Sequence, residues 1–208
     1  MNDIKIRKSA VYLAIGLLLP LIIAAFMLLS VKSPKTVETA SAKTLEEKFA
    51  LLSNGRTNLC AGSQYINSMN NNNMLQGACC SAMNFHRYVE QVEGLKKYSH
   101  ISKIPSDPYD IPVSMAREFL DYQKNIILTE EQQAVYDEAM KLSHEGGPCC
   151  CKCWRWYAFE GLGKYLITEY NFNAEQVAEV WDLEDGCGGS GHADHEGESM
   201  RETFEPQA

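Results

Sequence analysis

The most apolar part of the chain is residues 10–31, an unbroken run without a charged side chain. A helix of this length, rising about 1.5 Å per residue, spans roughly the 30 Å hydrocarbon core of a membrane. Residues 1–9 form a short basic N-terminus that includes Lys5, Arg7 and Lys8. We therefore predict a single N-terminal transmembrane anchor at residues 10–31, with the domain that follows on the extracytoplasmic side of the cell membrane.

The rest of the chain divides into three parts by its polar and apolar pattern. Residues 32–43 are small and polar, which predicts a linker. Residues 44–187 hold periodic apolar positions and all eight cysteines, which predicts one cysteine-rich helical domain. Residues 188–208 are rich in glycine and acidic side chains and have almost no apolar ones, which predicts a disordered acidic tail.

Signals for helix starts occur at four places within the predicted domain. Ser81 can cap a helix, and Thr129 and Asn173 each open a capping box. Pro148 suits the first position of a helix, where its missing amide proton costs nothing. The predicted helices cover approximately residues 81–97, 113–128, 130–145, 148–170 and 174–185.

The segments between these helices have the composition of loops. Residues 101–112 contain three prolines, and residues 67–76 contain five asparagines. No segment alternates between apolar and polar residues with the period of a strand. We therefore predict an all-α fold, with a single N-terminal transmembrane helix followed by a soluble helical bundle with long loops.

The charge of the chain restricts its partners. Its formal net charge is −8, whereas binding to nucleic acid phosphates requires clustered Lys and Arg side chains. We therefore exclude nucleic acid and expect the membrane, through the anchor, and a protein of the cell envelope as partners. No Ser-His-Asp set, phosphate-binding loop or pair of carboxylates stands out in the sequence. The sequence favours a protein that is not an enzyme and leaves that question open.

The cysteines are the strongest chemical signal in the sequence. Four of them lie within five residues, at the predicted start of the helix 148–170, and they are Cys149, Cys150, Cys151 and Cys153. Free amide groups and the helix dipole at such a position favour thiolates, which are both metal ligands and redox nucleophiles. Cys79 and Cys80 form an adjacent pair, and Cys187 is flanked by glycines just after a predicted helix end.

Thiolates at this density predict a site for a soft metal ion, Cu(I) or Zn(II). We expect Cys149, Cys151 and Cys153 to supply three ligands. We expect Cys187, or one of Cys79 and Cys80, to complete the site. The predicted role is metal binding, transfer or sensing.

The motif formed by Pro148, Cys149, Cys151 and Cys153 resembles the signature of the PCYCGC-motif family of exported bacterial proteins of unassigned function. The resemblance implies export and cysteine chemistry, and it implies no particular activity. This chain departs from the signature at two positions, because Cys150 stands in place of Tyr and Lys152 in place of Gly.

Two other functions are consistent with the same cysteines. Cys150 and Cys153 have the Cys-x-x-Cys spacing of thiol–disulfide oxidoreductases, although the βαβ pattern expected of thioredoxin-like proteins is missing. Alternatively, the eight cysteines form four disulfides that stabilise an exported interaction module without any site chemistry.

Overall fold

The computed structural model describes the backbone of residues 35–189 and the side chains of residues 44–189. The chain divides into two units after Thr44, and the second unit holds all the packing described below. The helices are α1 (Lys35–Leu52), α2 (Ser63–Ser68), α3 (Phe85–Leu95), α4 (Val113–Asn125), α5 (Glu130–Leu142), α6 (Trp154–Tyr170) and α7 (Ala174–Leu183), and a 3₁₀ turn at Lys96–Tyr98 extends α3.

The mostly helical architecture predicted for the domain is confirmed. The predicted fold class is corrected in two respects, a small sheet and the transmembrane helix. Strands β1 (Met74–Gln76) and β2 (Asp110–Pro112) form a two-stranded antiparallel sheet, with Leu75 opposite Ile111. Each strand has three residues, which is too short for a period of two to be visible in the sequence. Among the helices within the described range, none is long and apolar enough to cross a membrane. The predicted anchor at residues 10–31 lies outside the described residues.

The main hydrophobic core lies where α4 packs along α6 and where α7 packs against α5 and α6. A Cβ atom on Gly161 would lie 2.0 Å from the carbonyl oxygen of Phe119, so only glycine allows this approach of α6 to α4. The indole of Trp181 lies against Gly163 and donates a 2.8 Å hydrogen bond to the carbonyl of Phe159. These contacts fix α6, the helix that begins directly after the cysteine motif.

The two predicted capping boxes are confirmed. Thr129 accepts a hydrogen bond from the Gln132 amide at the start of α5, and the Gln132 side chain accepts one from the Thr129 amide. Asn173 and Gln176 make the same reciprocal pair at the start of α7. Both helices end earlier than predicted, α5 by three residues at Leu142 and α7 by two residues at Leu183.

Two predicted helix starts are wrong. The cap of α3 is Asn84, whose side chain accepts a 3.1 Å hydrogen bond from the Arg87 amide, and Ser81 instead donates to the carbonyl of Cys187. Helix α6 begins at Trp154 and not at Pro148. The amide of Trp154 donates a 2.7 Å hydrogen bond to the carbonyl of Ala61, so a tertiary contact sets this start. The cysteine motif is consequently an irregular loop.

Candidate metal centre

Four chain segments bring all eight cysteines into one cluster. They are the loop containing Cys60, the loop containing Cys79 and Cys80, the motif loop from Cys149 to Cys153, and the turn containing Cys187 after α7. Every cysteine belongs to at least one group of three whose sulfur atoms lie within 4.8 Å of one another. All eight are free thiols. The eight cysteines therefore cluster closely and could bind a metal ion.

Backbone hydrogen bonds align the second and fourth of these segments. The amide of Cys79 donates to the carbonyl of Gly186, at 3.1 Å, and the amides of Cys80 and Ser81 donate to the carbonyl of Cys187, at 3.2 and 2.8 Å. One residue further on, Gly189 donates to the carbonyl of Ala82, at 2.7 Å. These bonds hold the adjacent Cys79 and Cys80 beside Cys187 independently of any contact between sulfur atoms.

The start of α6 positions the remaining cysteines. Trp154 is fully buried, and its indole nitrogen donates a 3.1 Å hydrogen bond to the carbonyl of Leu59. This bond, together with the Trp154 amide bond to Ala61, holds the loop containing Cys60 over the motif loop. As a result the sulfur atoms of Cys60 and Cys151 lie 3.0 Å apart.

We call the four least exposed thiols the inner set: Cys79, Cys149, Cys153 and Cys187. Cys149, Cys153 and Cys187 are buried and Cys79 is half-buried. The Cys187 sulfur lies 3.2 Å from that of Cys149 and 3.8 Å from that of Cys79. Cys79 also contacts the thiols of Cys149 and Cys153. Four sulfur atoms bound to one tetrahedral Zn(II) would lie roughly 3.8 Å apart, which is close to the two sulfur–sulfur distances at Cys187.

We call the other four cysteines the outer set: Cys60, Cys80, Cys150 and Cys151. Cys60, Cys80 and Cys150 are exposed and Cys151 is half-buried. The sulfur atoms of Cys60, Cys80 and Cys151 form one of the compact groups, and the sulfur of Cys80 lies 3.8 Å from that of Cys150. The outer set therefore covers the inner set on its solvent side.

The pKa values of the clustered thiols are shifted in opposite directions. Hydrogen bonds from Cys149 and Cys79, opposed by burial, lower the pKa of Cys187 to about 5. Hydrogen bonding to the other inner thiols raises the pKa of Cys79. Burial together with its contact to Cys187 raises the pKa of Cys150. The lowered pKa of Cys187 favours its thiolate form, which is the form that accepts hydrogen bonds from neighbouring thiols and binds metal ions.

A buried cation accompanies the thiols. Arg155 is 0% exposed and follows the last cysteine of the motif by two residues. Burial lowers the pKa of Arg155, but the negative charges of Glu184, Cys149 and Cys79 outweigh burial and raise it. One terminal nitrogen donates to the carbonyls of Pro108 and Glu184. Arg155 is thus a fixed positive charge close to the inner set.

The structure places the six predicted ligands in two compact groups. Cys149, Cys151 and Cys153 form one compact group, as do Cys79, Cys80 and Cys187. Cys151 is half-buried, and its sulfur also lies 3.0 Å from that of the exposed Cys60.

Sequence reasoning assigned no ligand role to Cys60 or Cys150, and it overlooked Arg155. For Cys60 the only signal is that it belongs to a set of eight, because it stands alone in the sequence. For Arg155 the signal is a charge between two tryptophans in an apolar helix.

Comparison of the chain with family models, with curated proteins and with solved structures finds no match. The resemblance to the PCYCGC-motif family, the extracytoplasmic location and the envelope partner therefore stay predictions. The function of this cysteine centre is accordingly inferred from its own geometry and chemistry.

Proposed function

We propose that the protein binds a soft metal ion, Cu(I) or Zn(II), through the thiolates of the inner set, and that it serves in metal binding, transfer or sensing. The observation that carries this proposal is the convergence of Cys79, Cys149, Cys153 and Cys187 from three chain segments. Elements that pack for their own reasons, α6 and the paired loops, hold these thiols together. A preformed set of this kind lowers the entropic cost of assembling ligands around an ion.

The donor atoms support a soft ion. Every compact group of candidate ligands among the described residues consists of cysteines alone, and no histidine or carboxylate side chain belongs to one. Thiolates favour Cu(I) and Zn(II) over harder ions such as Mg²⁺ and Ca²⁺, which prefer oxygen. The lowered pKa of Cys187 favours a negative charge that attracts a metal cation. The nearby Arg155 offsets part of the negative charge of the site.

The oxidoreductase hypothesis has less support. The sulfur of Cys150 lies 2.9 Å from that of Cys187 and 3.8 Å from that of Cys80, and that of Cys149 is within 4.8 Å. Cys153 contacts Cys79 and Cys149. Cys150 and Cys153 each share a compact group with Cys149, but no compact group among the described residues holds both of them. The pKa of Cys150 is also raised, whereas an attacking thiol requires a lowered one.

The proposal is tested by measuring the intact mass of the full chain, purified without added metal, under native and denaturing conditions. We expect the native mass to exceed the denatured mass by that of at least one metal ion, with free thiols released on denaturation. Equal masses, each lower than that of the reduced chain by two hydrogens per disulfide, would favour the disulfide-stabilised module and refute the proposal.

A matched pair of variants locates the ion. Cys149→Ser removes a buried inner thiol and should abolish retention of the metal, because three ligands and a hydroxyl bind a soft ion weakly. Cys60→Ser makes the same substitution at an exposed outer position and should leave at least one ion bound. Equal retention by both variants would contradict the assignment of the inner set.

A further inference from the structure

We infer that the cluster holds more than one ion, as a polynuclear Cu(I)–thiolate centre to which all eight cysteines contribute. This inference rests on the proposed function and extends it from a single ion at the inner set to a shared centre across both sets.

The number of thiols exceeds the need of one ion. A tetrahedral ion takes four thiolates, and the chain has eight cysteines, all of them in the cluster. The outer set has its own compact geometry, because Cys60, Cys80 and Cys151 lie within 4.8 Å of one another. These three thiols come from three different segments, so their proximity does not follow from adjacency in the sequence. The outer set could therefore hold a second ion.

The two sets are close enough to share ligands. The sulfur atoms of Cys150 and Cys187 lie 2.9 Å apart, and those of Cys79 and Cys80 lie 3.5 Å apart. Cys151 shares a compact group with the inner thiols Cys149 and Cys153. Sulfur atoms at the boundary between the sets can thus contact an ion on either side. Two ions bound in this arrangement would be bridged by thiolates and would not form separate sites.

The charge of the neighbourhood fits several bound ions. A thiolate centre gains one positive charge for each Cu(I), so several ions neutralise several thiolates. Arg155 adds a fixed cation, and its Nε and second terminal nitrogen find no hydrogen-bond partner within residues 44–189. A fully buried guanidinium with two unused donors suits a neighbourhood that becomes more anionic than free thiols would make it. The pair of Arg155 and Glu184 does not satisfy those donors.

Exposure of the outer set supports the same conclusion. Cys60, Cys80 and Cys150 are exposed, and exposed thiols close together are readily oxidised unless they are ligated. Ligation of these thiols by Cu(I) would cap the buried set with metal-bound sulfur. If only the inner set bound metal, these three exposed thiols would have no part in metal binding.

The inference is tested by titrating the reduced full chain with Cu(I) under anaerobic conditions. The ion is supplied from a competing chelator, and the bound ions are counted by native mass spectrometry. We expect two or more Cu(I) per chain, together with a copper–copper scattering path in the X-ray absorption spectrum. Exactly one bound ion would overturn this inference and leave the proposed function intact. No bound Cu(I) would overturn this inference, and the proposed function would fall with it only if Zn(II), supplied in the same way, also stayed unbound. Two ions without a copper–copper path would overturn the shared centre.

A variant confined to the solvent side separates the two sets. Cys60→Ser combined with Cys80→Ser alters only exposed positions and should lower the number of bound Cu(I) by at least one while one ion remains. Ser114→Ala, at an exposed position on α4, is the control and should keep the full number. An unchanged number of ions in the double variant, with its helical circular dichroism preserved, would show that the outer set does not take part.

Discussion

Arg155 and Glu184 are a buried pair of charged residues beside the cysteine cluster. Both side chains are 0% exposed, and their nearest charged atoms lie 3.8 Å apart. Within the described part of the chain, neither carboxylate oxygen of Glu184 has a hydrogen-bond partner. Burial raises the pKa of Glu184 well above its ordinary value, and the opposing charge of Arg155 only partly offsets it. The carboxylate form is therefore costly, whereas Arg155 stays charged.

Glu184→Gln should change the pH dependence of stability. A folded pKa raised above the unfolded value contributes stability that is complete below the unfolded pKa, near 4.5, and is lost as pH rises through the folded pKa. We expect the free energy of unfolding of the wild type to fall relative to that of Glu184→Gln between pH 4 and pH 8, by about 1.4 kcal/mol for each unit of pKa shift. Denaturant titrations of the metal-free, reduced proteins measure this difference.

Glu46→Gln is the control for that experiment, because Glu46 is exposed. Its difference from the wild type should stay nearly constant over the same pH range. If Glu184→Gln behaved like Glu46→Gln, the buried carboxylate would not be destabilising, and the charge balance described for Arg155 would be wrong.

At the residue scale, the kind of site could be predicted from the sequence more readily than the place of each cysteine within it. The density of cysteines predicted a soft-metal site, because thiols in adjacent positions are seldom explained by packing. Cys60 could not be assigned, because its approach to Cys151 depends on the contact of Trp154 with a distant loop. The division of the motif cysteines into buried and exposed positions was also inaccessible, since it depends on a loop conformation without a helical period.

At the scale of elements, the paired loops 79–83 and 186–189 are the frame of the centre. Gly188 has a φ of 83° and lies against Ser81, so close that a Cβ atom would be 2.3 Å from the Ser81 carbonyl oxygen. An L-residue at this position is strained in its backbone and also pushes the two loops apart. Gly146 shares the positive φ, at 65°, but a Cβ atom there would meet nothing within 4 Å.

Gly188→Ala and Gly146→Ala therefore form a matched test of the frame. In both variants, backbone strain should lower the free energy of unfolding by about 1 kcal/mol. Gly188→Ala should in addition lower the affinity for Cu(I) or Zn(II) by tenfold or more, because separation of the loops moves Cys79 and Cys80 away from Cys187. Competition with a chromophoric chelator measures the affinities. Equal affinities in the two variants would mean that the loop pairing does not position the thiols.

Elements set by local interactions were predictable, and those set by tertiary contacts were not. Thr129 and Asn173 begin helices through side-chain bonds within four residues, and the sequence shows both. Helix α6 begins at Trp154 because the Trp154 amide donates a hydrogen bond to the distant carbonyl of Ala61. The local signal of Pro148 was therefore misleading. The strands β1 and β2 depend on each other and left no pattern in either segment.

At the scale of the whole molecule, the cysteine cluster is separate from the main core. The large apolar cluster around α4, α6 and α7 contains no cysteine, whereas Cys149, Cys153 and Cys187 form a small cluster of their own. The helices therefore have enough buried apolar surface to fold without help from the thiols. Metal binding should stabilise the loops more than the helices.

Removal of metal by a chelator should consequently leave helical circular dichroism largely unchanged while local protection is lost. We expect amide hydrogen exchange to accelerate in segments 79–83, 149–153 and 186–189, and to change little in α4. Hydrogen-exchange mass spectrometry of the loaded and stripped protein measures both regions. Loss of protection in α4 together with the loops would indicate that metal binding and global folding are one transition.

The distances along the chain between cluster members have a consequence for biogenesis. Cys60 meets a partner 91 residues later, and Cys79 meets one 108 residues later. Such long-range closures form late and slowly, because most of the chain must be collapsed before their ends can meet. During synthesis Cys60 and Cys79 emerge before Cys187, and until the cluster forms their thiols remain reactive. A metallochaperone or a reducing environment that protects nascent thiols would thus determine how much of the newly made protein matures.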